Sequence, residues 1–141
     1  MSTIWGYILE APGRPPLAKQ RQALRSLGVN MAEAGTCWHD KIERGSTRPR
    51  GQLLEREDLI QAALPGDTVV IAAPFCLGLS EKDAAWFLGE LSERKITVII
   101  NGQMTRIEPG EDHSEMLQAV ASAQNVHHVR VAKAKARKPK E

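Results

Sequence analysis

One stretch limits what this chain can fold into more than any other. Thr68 to Ala73 (TVVIAA) is an unbroken β-branched and apolar run, and Pro65-Gly66-Asp67 before it is turn chemistry. A run of that length without polar alternation is a strand buried on both faces, as in a parallel sheet covered by helices. Gly78 breaks the pattern, and Ser80-Glu81-Lys82-Asp83 then opens an amphipathic segment as an S-x-x-D capping box. The unit is strand, loop, helix. In an open α/β sheet the loop at the strand's carboxyl end is where a site forms. Here that loop, Pro74 to Leu79, has no ionisable side chain except Cys76.

The rest of the chain repeats the alternation. Ile4 to Leu9 reads as a first strand. Ala11 to Pro16, with three prolines and a glycine, reads as a loop. Leu17, Gln20, Leu24 and Leu27 form one stripe of a helix over 17–27, and Gly28 is its stop. Thr36 to Asp40 is a short second strand. Ile42 to Gly51 is a polar, basic loop. Gln52 to Leu64 is a helix with Leu53, Ile60 and Leu64 in line. After the buried strand come a helix over Glu81 to Arg94, a strand at Ile96 to Ile100, a loop over Gly102 to His113 and a short final helix over Ser114 to Gln124. The expected fold is α/β: a mostly parallel central sheet of about four strands with helices on both faces.

The chain of 141 residues is long enough to bury roughly two thirds of its unfolded surface as one domain over 1–124. Its charge is unevenly placed. Residues 1–129 carry thirteen Lys and Arg against sixteen Asp and Glu, a net of −3, whereas 130–141 carry six basic groups against Glu141, a net of +5. Residues 125–141 are therefore expected to be a basic, flexible tail. No apolar segment approaches the ~20 residues that span a bilayer, and the N-terminus has no basic region followed by an apolar one, so a cytoplasmic protein with no membrane partner is expected.

The order of elements resembles the catalytic domain of the resolvase/invertase serine recombinases over about residues 4 to 124. Gly6-Tyr7 resembles that family's opening strand. Leu17, Gln20, Ala23-Leu24 and Gly28-Val29 are spaced as in its first helix. Trp38-His39-Asp40-Lys41 with Gly45-Ser46 is similar to its second strand and mobile loop, and Arg48-Pro49 and Gly51 to its R-P-G element with Arg50 as one extra residue. Pro65 to Val70 with Leu77-Gly78 has the frame of its central strand and signature loop. The resemblance implies attack on a DNA phosphodiester by a serine, with guanidinium groups matched to the phosphate oxygens. On this chain the nucleophile position falls on Ala11 and the strand arginine on Leu9. The signature loop reads Phe75-Cys76-Leu77-Gly78-Leu79. Only Arg48, or Arg50 if the insertion lies before it, keeps a basic group. A methyl cannot attack phosphorus, so the resemblance implies a degenerate, catalytically silent relative with no catalytic residue.

Other nucleophiles have structural readings. Ser80 is a helix cap. Cys76 has no charged neighbour in sequence to activate it. Ser46 and Thr47 lie beside Arg44, Arg48 and Arg50 without an evident base. Cys37, His39, Cys76, His113 and His127-His128 show neither C-x2-C nor H-x3–5-H spacing, and no phosphate-cradling glycine motif occurs, so no metal and no cofactor is expected. Two basic groups point to DNA phosphates: Arg44, Arg48 and Arg50 in the loop, and Arg130, Lys133, Lys135, Arg137, Lys138 and Lys140 in the tail, whose unpaired cations suit sequence-independent binding by counterion release. The tail is too short for a helix-turn-helix. The resemblance further implies assembly through the last helix, whose apolar stripe is Met116, Leu117, Val120 and Val126. The expected function is a silent, self-associating, DNA-binding accessory or regulatory factor, alone or with an active recombinase partner. Two alternatives stand beside it: an active recombinase with a displaced nucleophile, and a protein-interaction module with no nucleic-acid role.

Overall fold

The computed structural model describes residues 2–32, 36–42, 53–101 and 105–137. Five strands form one sheet: β1 (Ile4–Glu10), β2 (Cys37–Lys41), β3 (Thr68–Ile71), β4 (Thr97–Ile100) and β5 (Thr105–Ile107). Their spatial order is β2-β1-β3-β4-β5, parallel throughout except for the antiparallel β4–β5 pair. Four helices complete the fold: α1 (Leu17–Ser26), α2 (Leu54–Ala62), α3 (Glu81–Glu93) and α4 (Ser114–Arg137).

Alternation along the strands divides the core. Tyr7, Leu9, Val69, Ile71, Val98 and Ile100 face α2, α3 and α4, while Ile8 and Val70 face Leu24 and Val29 on the α1 side. The crossover from β1 to β2 runs one way across the sheet and the later crossovers run the other way. Right-handed connections then put α1 on one face and the following helices on the opposite face. Glycine at position 6 lets α1 approach closely, because a Cβ there would lie 2.9 Å from Leu24 Cδ1.

Two expectations are corrected. The stretch read as a loop over Gly102 to His113 contains β5, which adds a fifth strand. Only its Ile107 is buried, opposite Val98, and three residues are too few to show a period in sequence. The last helix does not stop near Gln124 but continues to Arg137. Residues 125–137 contain neither glycine nor proline and are rich in Ala, Lys and Arg, all strong helix formers. Smaller differences lie at the ends: β2 is shifted by one residue from Thr36–Asp40, and α2 is shorter than Gln52–Leu64. Among the described residues, no helix is long and apolar enough to cross a membrane.

Candidate functional site

The sheet reverses its order of growth at β1, which has β2 on one side and β3 on the other. The crevice outside the carboxyl ends of β1 and β3 is therefore the topological switch point of the sheet. The last β1–β3 pair is Tyr7 with Ile71, yet β1 continues to Glu10. Leu9 thus lacks a ladder partner on the β3 side, and the buried Gln20 side chain supplies one. Its Oε1 accepts from Leu9 N at 3.2 Å, and its Nε2 donates to Leu9 O and Pro15 O, each at 2.9 Å. A side-chain amide, with a carbonyl acceptor and two donor hydrogens, can satisfy both the N–H and the C=O of one residue in this way.

Beyond Leu9 the crevice holds an arginine. Arg14 donates from Nε to Phe75 O (2.9 Å), from Nη1 to Pro12 O (2.8 Å) and from Nη2 to Gly78 O (2.5 Å). Its guanidinium carbon lies 3.5 Å from the centroid of the Phe75 ring. Burial lowers its pKa to about 10, so it stays charged at neutral pH. All three hydrogen bonds end on main-chain carbonyls, and no ion pair among the described residues includes it.

The loop after β3 begins with a 3-10 turn, Pro74–Leu77. It is tied from below by a second arginine. Arg56 of α2, fully buried, forms a bidentate pair with Asp83 of α3 at 2.9 and 2.7 Å and donates to Leu77 O at 3.0 Å. Asp83 Oδ2 also accepts from Leu79 N at 2.7 Å, and Ser80 Oγ accepts from Asp83 N at 3.2 Å, as the capping box requires. Asp40 of β2 acts at long range on the start of α2, which has no capping side chain of its own. It accepts from Glu55 N, Arg56 N and the Tyr7 hydroxyl. Burial first, then the Asp40 charge, push the Tyr7 phenol well up.

Each position singled out from sequence can now be placed. Leu9 is fully buried, and Ala11 is half-buried against the core. Cys76 is fully buried, and burial pushes its thiol up to about 12, which leaves almost no thiolate at neutral pH. Leu79 packs on the core, and the Ser80 hydroxyl is engaged as a cap. His39 lies at the sheet edge, 3.0 Å from Glu10 Oε1, with Lys41 Nζ 3.6 Å from Glu10 Oε2. Among the described residues, no three His, Cys, Asp or Glu side chains converge as metal ligands would. Arg44, Ser46, Thr47, Arg48, Arg50, Lys138 and Lys140 lie outside the described residues. Arg130 and Lys133 are exposed on α4, and Lys135 and Arg137 belong to its last turns. Of the apolar stripe on this helix, Met116 and Val120 are buried in the chain's own core, whereas Val126 is exposed.

Sequence reasoning missed Arg14, Arg56 and the contact made by His127. Nothing in a proline-rich loop announces that Arg14 will meet carbonyls about sixty residues away. Arg56 did carry a signal: it falls three after Leu53 and four before Ile60, on the inward stripe of α2. His127 of α4 rests on Gly13, whose φ is +83°. A Cβ at that glycine would lie 2.7 Å from the imidazole. The ring centroids of His127 and Phe75 are 6.1 Å apart.

The geometry matches a solved structure. The N-terminal catalytic domain of TP901-1 integrase superposes with a TM-score of 0.57, covering 92% of this chain and 98% of that one at 17% sequence identity. The chain has the fold of a serine integrase catalytic domain. The likeness supports the resolvase-like architecture expected above and, at this identity, speaks for fold alone. No protein-family model matches the chain, and no curated protein does.

Proposed function

We propose that the chain is a catalytically silent relative of the serine integrase catalytic domain that binds DNA without sequence preference and acts as an accessory or regulatory factor in the cytoplasm. The observation that carries the reading is the state of the crevice. Where the resemblance calls for a hydroxyl and guanidinium groups, the chain has Leu9, Ala11, Cys76 and Leu79, and Leu9 and Cys76 are wholly buried. Gln20 and Arg14 turn toward the protein's own main chain, Arg14 with three of its five N–H groups, rather than standing open as a fork for a phosphate. A displaced nucleophile finds no support at Cys76 or Ser80, one protonated in the core and the other capping α3.

The DNA contact belongs to the basic end of the chain. Arg130 and Lys133 stand exposed on α4, and Lys135, Arg137, Lys138 and Lys140 follow. Arg44, Arg48 and Arg50 are proposed to add phosphate contacts from the loop before α2. Self-association, or assembly with an active recombinase, would use Val126 and Val129 on the same helix, each about half exposed (50% and 52%).

The test is fluorescence anisotropy on random-sequence duplex at two salt concentrations, with the full chain and with a chain ending at Val129. The full chain should bind with a log–log salt slope approaching about −5 if all six cations meet phosphates, and the shortened chain should lose most of that slope. Equal affinity and slope for both chains would refute the role of the basic end. A covalent protein–DNA adduct surviving denaturation would refute silence.

A further inference from the structure

Between the loop after β1 and the middle of α4 lies a groove of about 270 Å³, lined by Gly13, Ser122, Ala123, Val126, His127 and Arg130. Its polar lining is a hydroxyl, an imidazole and a guanidinium, and it includes no carboxylate. Ser122 and Arg130 are exposed and therefore reachable from solvent. Arg14, next to Gly13 in sequence, lies over the Phe75 ring and hydrogen-bonds three main-chain carbonyls, with no carboxylate in salt-bridge contact among the described residues. Such a half-buried cation raises the local potential, and a bound anion would offset it.

We propose that this groove binds a phosphate group, with Ser122 and Arg130 as donors, His127 as part of the wall and Arg14 contributing charge from behind. The volume exceeds that of one phosphate, which leaves room for the ester substituent of a phosphodiester or a small phosphate compound. That a DNA backbone supplies the phosphate rests on the function proposed above; the groove itself does not depend on that reading.

The experiment follows the Gly13 amide and the His127 ring by NMR on the full chain. Inorganic phosphate is titrated in one arm and a short random duplex in the other. Phosphate should shift both signals saturably, and Ser122→Ala and Arg130→Gln should each weaken its binding roughly tenfold or more. Both positions are exposed, so these variants keep the fold, and Lys19→Gln, exposed on α1, should leave phosphate binding unchanged. If the duplex moves the same two signals and Ser122→Ala weakens that response, the phosphate is that of DNA. If phosphate shifts the signals and the duplex binds without moving them, the groove serves a small phosphate compound and the DNA contact lies elsewhere. Absence of a saturable shift with both probes overturns the groove, and it does so even if the duplex still binds through the basic end.

Discussion

Three buried polar groups decide how individual residues hold this structure. The Arg56–Asp83 pair takes two charges out of water and is compensated by its bidentate geometry and by Leu77 O and Leu79 N, with Arg56 Nε left without a hydrogen-bond partner. Asp83→Ala should therefore cost about 3–5 kcal/mol in urea unfolding by stranding the guanidinium, and the double change Arg56→Met with Asp83→Leu should recover a large part of that loss. Gln20→Leu should cost about 2–4 kcal/mol, since Leu9 N, Leu9 O and Pro15 O all lose their partner. Asp67 sets a pH dependence. Burial alone would raise its pKa, but donors from Thr3 N, Trp5 Nε1 and Leu64 N outweigh that and hold it below the ordinary value. A carboxyl depressed in the folded state stabilises fully above its unfolded pKa of about 3.9, and that contribution is lost as pH falls through the lower folded value. The stability difference between the natural chain and Asp67→Asn should thus be constant above about pH 5 and shrink in acid, as a urea series at several pH values would read.

Among the elements, α4 is divided in function along its length. Met116 and Val120 anchor its first half in the core, while beyond His127 the side chains at 128, 129, 130, 132 and 133 are exposed. Val120→Ala should cost about 2–3 kcal/mol, whereas ending the chain at Val129 should change stability by less than about 1 kcal/mol, both read by thermal or urea unfolding. The same division explains what could be read in advance. β1, β3 and β4 were legible as apolar runs, and α1 and α3 as stripes, because burial writes periodicity into sequence. Among the described side chains from His127 to Lys133 none is buried, so no period is written there, and the helix rests on the intrinsic preference of Ala, Lys and Arg. Strand β5 borrows its order from β4 and needs a single inward residue. At the site, the apolar positions Leu9, Ala11, Cys76 and Leu79 were legible, while the cation that fills the space, Arg14, was not. Its contacts are main-chain carbonyls, which every residue has, so no pattern of side chains reveals them.

For the whole molecule, the switch point at β1 and β3 is the natural place for a ligand in a sheet of this order, and here the protein's own side chains occupy it. On the reading proposed above, supplying the arginine and serine that the resemblance calls for would take more than two substitutions. Leu9→Arg with Ala11→Ser should lose about 3–5 kcal/mol of stability, because the guanidinium would enter the core, and should form no denaturation-resistant adduct with duplex DNA on a gel. The resting place of His127 on Gly13 has one more effect. From that point to Arg137 the helix extends ten residues, about 15 Å, as a stiff rod. A load on its outer end would bear on the packing of α4 against α3 and the 3-10 turn as well as on Gly13. Through the Gly13 contact such a load would reach the proline-rich segment after β1, at the mouth of the sheet.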